Sequence, residues 1–271
     1  MINKTKSFLV VLLLILFYTG CTNKAPYTNR SQMILISQEE ELALGEQSYE
    51  KTLKESKVIK NTNDARRVRE VGKAIAKVVN KDYKWEFNLV ENKEKNAFCL
   101  PGGKVVVYTG ILKVARNDDQ LATVISHEIA HALARHGAER ISTNLVAQGV
   151  QVVGNIVVGT QIPQYDKAFN IAFGLGSQYG VLLPYGRMQE SEADEIGIHL
   201  MNEAGYNIHE ALKFWQNMSD GKKEGYEFFS THPNSSTRIE NIRRVIKQIE
   251  DKKVENFSNL IKNKNLGNRL H

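Results

Sequence analysis

The sequence predicts an α+β fold that is predominantly helical, with one small β-sheet beside a central helix. Apolar residues recur every three or four positions in several long segments, which is the period of an amphipathic helix. A short segment around Phe87 instead alternates apolar and polar residues, and two further extended segments flank Pro101-Gly102-Gly103. The chain has 271 residues, of which 42% are hydrophobic, so it can bury one ordinary core and we expect one main domain.

The first predicted elements are two helices and then the strands of the sheet. The helices extend from about Glu39 to Ser56 and from Asp64 to Val79, and Asp64 is the predicted N-cap of the second. Trp85, Phe87 and Leu89 alternate with polar residues, as expected for a strand with one buried face. The other two predicted strands are Ala97–Leu100 and Lys104–Tyr108.

Helical spacing returns after the sheet. We predict a helix over Leu112–Arg135 that ends at Gly137 as its C-cap. Residues 145–162 are apolar but interrupted by polar residues, which favours a buried or groove-lining helix over a membrane span. Three more helices are predicted, at Met188–Ala204, Ile208–Ser219 and Ser236–Lys252.

The N-terminus has the composition of a targeting segment. Lys4 and Lys6 precede an unbroken apolar run, Phe8–Phe17, which is typical of a secretory signal peptide and too short to span a bilayer. The residues before Cys21 resemble the cleavage box of bacterial lipoproteins, in which the cysteine carries the lipid. Tyr18 departs from that box, which usually has an aliphatic residue there. A plain cleaved signal with an incidental cysteine is the alternative.

These features predict four regions: a lipoprotein-type signal peptide at 1–20, a polar tether at 21–38, a folded domain at 39–252 and a basic mobile tail at 253–271. The residue after Cys21 is Thr22 rather than Asp. By analogy with lipoprotein sorting, we expect a bacterial envelope protein anchored in the outer membrane and facing the periplasm. Cys99 then has no disulfide partner, and its apolar neighbours indicate a small buried side chain.

The positive charge of the chain does not indicate a nucleic-acid partner. The formal net charge is +6, and most of the excess lies in the segment Arg243–His271, which holds eight basic and three acidic residues. A nucleic-acid-binding surface would instead combine a basic face with interleaved aromatic residues. We therefore expect no nucleic-acid binding and a solvated tail that is able to touch anionic lipid headgroups.

The strongest functional signal is His127-Glu128-Ile129-Ala130-His131 within a predicted helix. Residues four apart lie one turn above each other, so both imidazoles can reach one metal ion. Glu128 then lies beside the metal, where a carboxylate can take the proton of a zinc-activated water. Two surface histidines are the alternative, but the surrounding residues are apolar, and unpaired imidazoles would be costly in a core.

A third ligand is needed, because catalytic zinc takes three protein ligands and leaves one position for water. The metzincin motif requires Gly and His where this chain has Ala134 and Gly137, so that class is excluded. Glu190 and Asp194 are better candidates, since they lie four apart on a later predicted helix. One can bind zinc while the other accepts a hydrogen bond from a ligating imidazole. Glu192 is predicted to face solvent, and His136 to point away from the site.

These motifs are similar to those of the CAAX-protease, HtpX and Oma-type zinc metallopeptidases, metallopeptidase family forty-eight. The resemblance depends on His127–His131 followed about sixty residues later by Glu190–Gly197, and it covers residues 30–250. Further stretches that match the family pattern are Asn96–Gly103, Arg187 before Glu190, and Thr231-His232-Pro233 with Arg238 six residues after the histidine.

The resemblance implies a zincin-like catalytic domain that binds one Zn²⁺ per chain in the gluzincin arrangement. His127, His131 and Glu190 would bind the metal, with Asp194 supporting an imidazole. In envelope members of the family, a loop histidine that matches His232 can cap the zinc. A loop histidine without that role is the alternative.

The predicted strand containing Ala97, Phe98 and Cys99 borders the motif helix, where a free strand edge can pair with an extended peptide. Arg238 is expected to cap the zinc or to act on the transition state. The leading hypothesis is an endopeptidase that cleaves misfolded or misassembled cell-envelope proteins. The alternatives are a weakly proteolytic, chaperone-like lipoprotein that uses the same cleft, and a structural lipoprotein with an accidental motif.

Overall fold

The computed structural model describes residues 22–147, 186–220, 232 and 236–267. Its helices are α1 (Gln38–Glu55), α2 (Asn63–Val78), α3 (Asp118–Leu133), α4 (His136–Ala147), α5 (Arg187–Glu203), α6 (Glu210–Asp220) and α7 (Ser236–Gly267). Its strands are β1 (Thr22–Lys24), β2 (Ser31–Met33), β3 (Val58–Ile59), β4 (Glu86–Val90), β5 (Ala97–Leu100) and β6 (Lys104–Tyr108). The predicted α+β, mostly helical fold is confirmed.

The larger sheet has the strand order β3-β4-β6-β5. Strands β4 and β6 run parallel, and the other two pairs are antiparallel. Four adjacent residues of β5 are all buried, because one face of this strand packs on α3 and the other contacts α1. Strand β5 lies at the edge of the sheet, directly beside the helix that carries the His-Glu-x-x-His motif.

Helix α3 begins later than its apolar spacing predicts. Asn117 is the N-cap, since its side chain accepts a hydrogen bond from the backbone N–H of Gln120 at 2.8 Å. Residues Ile111–Lys113 form a separate 3₁₀ turn, so the predicted helix start at Leu112 is wrong. Capping chemistry, rather than hydrophobic period, sets this boundary.

The end of α3 also differs from the prediction. Arg135 takes a left-handed backbone conformation with φ of 52°, which stops the helix, and α4 starts at His136. Gly137 therefore lies inside α4 and is not the C-cap. The break turns the chain sharply, so His136 does not continue the face of α3.

Helix α3 is the centre of the molecule, and its residues from Gln120 to Leu133 are all buried. It packs most extensively on α5 and also contacts α2, α6 and β5. The α3–α5 approach is close at Gly197, where an added Cβ would lie 3.2 Å from the backbone nitrogen of His127. This contact brings the two helices that carry the candidate ligands together.

The segment predicted as a polar tether is part of the fold. Strands β1 and β2 form an antiparallel hairpin, which we call the N-terminal hairpin (residues 22–33). After it, Ile34 and Ile36 are buried in a cluster with Ala138 and Ile141 of α4. Some polar side chains of this segment pair with the domain, such as Gln32 and Arg30, while others are exposed.

The C-terminal helix is longer than predicted. Helix α7 buries Ile242, Val245, Ile246 and Ile249 and then continues to Gly267, so its predicted end at Lys252 is wrong and residues 253–267 of the predicted tail are helical. Residues 251–259 are exposed, so this part of the helix projects beyond the core.

Two predictions fall outside the part of the chain that the structure describes. They are the signal peptide at 1–20 and most of the buried helix at 145–162. Within the described residues, no helix combines the length and the apolar character needed to cross a membrane.

Candidate metal centre

Two helices place the three predicted ligands in one buried cluster. His127 and His131 lie one turn apart on α3, with their Nε2 atoms 3.1 Å from each other. Glu190 in the first turn of α5 faces both, and its oxygens lie 3.4 Å from Nε2 of His127 and 3.4 Å from Nε2 of His131. The side chain of Glu190 is fully buried.

His232 completes a cluster of four. Its Nδ1 lies 3.1 Å from Oε1 of Glu190 and 3.4 Å from Nε2 of His127. One ligand atom from each of the four buried residues lies within 4.8 Å of all the others. His232 thus lies in the same cluster as the three predicted ligands.

The cluster has the dimensions and chemistry of a zinc site. Zinc bonds to nitrogen and oxygen of about 2.1 Å give a tetrahedron with edges of about 3.4 Å. The five distances given above range from 3.1 to 3.4 Å, with Oε2 of Glu190 facing His127 and Oε1 facing His131 and His232. Imidazole and carboxylate are zinc ligands, and burying them without a cation would be costly. The cofactor is zinc.

Asp194, one helical turn beyond Glu190 on α5, supports His127. Oδ1 of Asp194 lies 3.0 Å from Nδ1 of His127, which leaves Nε2 for the cluster. Burial disfavours the imidazolium, but hydrogen bonds with Asp194 and Glu190 raise the pKa of His127 to about 9. The same negative surroundings that favour a proton favour a metal cation, which would displace that proton on binding.

Arg238 of α7 binds both acidic residues. Its guanidinium donates to Asp194 at 2.7 and 2.8 Å, and its Nη1 lies 2.8 Å from Oε2 of Glu190. It also lies over the ring of Trp215, 4.0 Å from the centroid. Burial opposes ionisation of Asp194, but the charge and hydrogen bonds of Arg238 outweigh it and lower the pKa of this carboxyl. Arg238 therefore keeps the Asp194 carboxylate ionised inside the core.

His131 is supported by two residues for which the sequence predicted other positions. Its Nδ1 lies 2.8 Å from Nδ1 of His136, and Nε2 of His136 lies 2.9 Å from Oε2 of Glu192. Both supporting residues are buried, so the predictions that His136 points away and that Glu192 faces solvent are wrong. Helical spacing does not predict these two positions. The helix breaks before His136, at Arg135, and Arg30 of the hairpin covers Glu192.

Glu128 is beside the cluster but outside it. Its Oε1 is buried, lies 3.6 Å from Nε2 of His232, and has no hydrogen-bond partner among the described residues. Burial raises the pKa of Glu128 above its ordinary value. An acceptor oxygen left unpaired next to a metal cluster is suited to a water molecule or a reacting proton.

The remaining predicted site residues lie on β5 or outside the described chain. Ala97, Phe98 and Cys99 form the edge strand beside α3, and their side chains are buried. Burial raises the pKa of the Cys99 thiol well above its ordinary value, so this residue packs as a small apolar side chain. Cys21, the predicted lipidation site, lies outside the described residues.

Comparison with known proteins identifies relatives over most of the chain. The sequence profile of peptidase family M48 matches residues 61–246. The mitochondrial metalloendopeptidase OMA1 of Saccharomyces cerevisiae is 34% identical over 84% of this chain, which covers 70% of that protein. The human metalloendopeptidase OMA1 is 30% identical over 91% of this chain, which covers 51% of it.

A bacterial relative matches less of the chain. The β-barrel assembly-enhancing protease of Escherichia coli O157:H7 is 29% identical over 61% of this chain, which covers 35% of that protein. This chain thus spans about half of the human relative and about a third of the bacterial one.

These relatives overturn the predicted location. The proteins from two yeasts, cattle, human and Arabidopsis thaliana are all named as mitochondrial, and they point to mitochondria rather than to a bacterial outer membrane. The predicted outer-membrane protein facing the periplasm is therefore wrong, although a bacterial relative also matches. The physical reason is that a basic segment followed by an apolar run marks a targeting sequence without fixing its destination.

Proposed function

The chain belongs to peptidase family M48, and from this premise we propose that it is a zinc-dependent metalloendopeptidase with Glu128 as its general base. Family membership makes it a peptide hydrolase that uses zinc. The observation that supports the detailed proposal is the buried cluster of His127, His131, Glu190 and His232. Next to it lies Oε1 of Glu128, which has no hydrogen-bond partner in the described part of the chain. A binding protein with little proteolytic activity would not require that oxygen.

In the proposed mechanism, His127, His131 and Glu190 hold the metal. Bound zinc supplies a Lewis acid that polarises a carbonyl group and makes a water molecule more acidic. Glu128 takes a proton from the attacking water at Oε1 and returns it to the amine nitrogen that leaves as the peptide bond breaks. Asp194 keeps Nδ1 of His127 protonated, and Arg238 keeps Asp194 ionised.

We place the substrate backbone along β5. Because β5 is an edge strand that lies against α3, the backbone groups of Ala97, Phe98 and Cys99 can pair with an extended peptide beside the metal. The side chains of β5 are buried, so this pairing depends on backbone and not on side-chain chemistry. Such binding suits segments that are extended or not yet assembled, and we propose misfolded or misassembled polypeptides as substrates.

His232 is proposed to cap the metal at rest. Its Nδ1 lies against Glu190 and His127, so it would fill the position that a catalytic zinc site keeps open for water. We expect His232→Ala to raise the rate of casein hydrolysis at equal zinc content. Equal rates for the variant and the wild type would show that His232 is a loop residue without this role.

The general-base proposal is tested with Glu128→Gln in the full-length chain. The variant keeps the shape and the zinc ligands, so zinc content by atomic emission should stay at one per chain. Hydrolysis of casein should fall by a factor on the order of 10² to 10⁴, the contribution of general acid–base catalysis.

Glu70→Gln is the matched control, because Glu70 has a side chain 68% exposed on α2. It should keep both the zinc and the activity of the wild type. Unchanged hydrolysis in Glu128→Gln would contradict the proposal and favour the weakly proteolytic, chaperone-like alternative.

A further inference from the structure

The Nδ1 atoms of the two histidine ligands on α3 have different kinds of partner. His127 contacts a carboxylate directly, since its Nδ1 lies 3.0 Å from Asp194. His131 contacts another imidazole, with 2.8 Å between its Nδ1 and Nδ1 of His136. Only one of these two nitrogens can hold the shared hydrogen in a neutral pair, so the contact fixes a donor and an acceptor.

The direction of this hydrogen bond follows from which nitrogen of His131 faces the metal cluster. Nε2 of His131 faces the ligand cluster, so its hydrogen must be on Nδ1, which donates to Nδ1 of His136. His136 then has its own hydrogen on Nε2, and it donates to Oε2 of Glu192 at 2.9 Å. The imidazole of His136 thus bridges His131 and the carboxylate of Glu192.

The far end of this chain of contacts is held by the N-terminal hairpin. Both Thr28 and Arg30 donate to Glu192: the hydroxyl to Oε1, and the guanidinium Nε to Oε2 at 2.7 Å. The other guanidinium nitrogens of Arg30 bind Glu139 of α4 at 2.6 and 2.8 Å. Arg30 therefore joins the hairpin to both helices that frame His136.

The turn of the hairpin has the conformation needed for these contacts. Tyr27 and Asn29 have positive φ values of 63° and 56°, and the N–H of Asn29 donates to the carbonyl of Ala25 at 3.0 Å. This tight turn places Thr28 and Arg30 on the same side, against Glu192. Left-handed backbone at two non-glycine residues is costly, and here it is offset by partly buried hydrogen bonds between charged groups.

We propose that His136 and Glu192 are positioning residues for the metal ligand His131, and that the N-terminal hairpin sets zinc affinity by holding Glu192 through Thr28 and Arg30. The inference depends on the zinc centre of the proposed function. It adds a series of hydrogen bonds that connects Arg30, about 100 residues before His131 in the chain, to this metal ligand. Docking of the hairpin and occupancy of the metal site are then coupled.

The test measures zinc affinity instead of activity. The full-length chain is depleted of zinc, and its dissociation constant is determined by competition with a chromophoric chelator at neutral pH. His136→Phe fills the same space without either hydrogen bond, and we expect a dissociation constant about 10- to 100-fold higher, as for other partners of metal ligands. His136→Asn keeps an acceptor oxygen near the position of Nδ1 and should recover part of the affinity.

Arg30→Met tests the contribution of the hairpin at a residue remote from the metal. It should raise the zinc dissociation constant by a smaller factor, on the order of threefold to tenfold, because Thr28 still contacts Glu192. This variant also decides the question if His136→Phe does not fold. If Arg30→Met then bound zinc as tightly as the wild type, the proposal would be overturned.

Ile141→Ala is the matched structural control. Ile141 is buried on α4 between the helix and the segment after the hairpin, but it does not contact His136 or Glu192 through a hydrogen bond. It should lower stability and leave zinc affinity within about twofold of the wild type, because it removes packing alone. Equal losses of affinity in Ile141→Ala and His136→Phe would reduce the role of His136 to packing.

The two proposals can fail separately. A wild-type chain that binds no stoichiometric zinc would remove the proposed function and, with it, this inference. A wild-type chain that binds zinc and cleaves casein, while His136→Phe keeps its zinc affinity, would remove only the positioning role.

Discussion

At the scale of single residues, the metal centre depends on a positive charge as much as on its ligands. Arg238 has only 2% of its surface exposed and lies between Asp194 and Glu190. Two carboxylates at this depth would favour their neutral forms, which are poor zinc ligands and weaker acceptors for an imidazole N–H. The guanidinium lowers the pKa of Asp194, and it lies 2.8 Å from Glu190, whose pKa is lowered chiefly by His232 and by hydrogen bonds with the cluster histidines.

We therefore predict that Arg238→Met destabilises the zinc-free protein strongly. Removing one member of a buried charged network leaves the other members unpaired and costs about 3–5 kcal/mol. Urea unfolding of zinc-depleted wild type, Arg238→Met and Arg238→Lys measures the loss, and the lysine variant should lie between the other two. A methionine variant as stable as the wild type would mean that Asp194 and Glu190 do not need this cation.

The residues that the sequence could predict are those linked by local helix geometry. His127 and His131 share a face because the helix has a fixed turn, and the same argument pairs Glu190 with Asp194. His136 and Glu192 were missed because their positions depend on a break at Arg135 and on a hairpin far away in the chain. Contacts of that kind are tertiary and leave no periodic signal.

At the scale of elements, the start of α3 is tied to α6. The carboxylate of Glu210 accepts hydrogen bonds from the N-cap residue Asn117 at 2.9 Å and from Gln120 at 2.8 Å, and it also binds Lys213. Hydrogen bonds from Lys213, Asn117 and Gln120 lower the pKa of Glu210 to about 2. The helix predicted from apolar spacing starts at Leu112, because that spacing carries no information about the polar contacts of Glu210.

The Glu210 contacts predict a dependence of stability on acidity. The folded pKa is below the ordinary value of 4.5, so the ionised group stabilises the fold above about pH 4.5 and loses this effect as the pH falls toward about 2. The unfolding free energy of the wild type should therefore decrease more steeply between about pH 5 and 3 than that of Glu210→Gln.

Urea unfolding at several pH values measures both slopes for this prediction. Glu70→Gln, at an exposed position of α2, is the control and should retain the slope of the wild type. Parallel slopes for Glu210→Gln and the wild type would show that Glu210 does not couple α6 to the start of α3 through its charge.

At the scale of the whole molecule, composition misjudges both ends of the described chain. The polar N-terminal segment resembles a tether, but some of its polar groups bind within the domain, as when Gln32 donates to the carbonyl of Ala134 at 2.6 Å. The C-terminal segment resembles a mobile tail, but it continues as α7 to Gly267. Polarity predicts exposure only when the polar groups have no partner in the fold, and the sequence does not show partners.

The two parts of α7 predict different consequences of truncation. Val254 and Phe257 are 66% and 65% exposed, and the described side chains of residues 254–259 are all exposed, so we expect a chain that ends after Lys253 to keep its core. Its thermal midpoint should shift by less than about 2 °C, because surface changes are usually within about 0.5 kcal/mol.

A chain that ends after Arg244 is the matched comparison, because it removes three residues that are buried in the core, Val245, Ile246 and Ile249. Losing these side chains should cost several kcal/mol, since each buried aliphatic side chain contributes about 1.5–3 kcal/mol. Calorimetry of both truncated chains with zinc bound measures the contrast. If the shorter truncation already lowered the midpoint as much as the longer one, the exposed part of α7 would have to pack on the domain, and the boundary of the core would lie beyond Ile249.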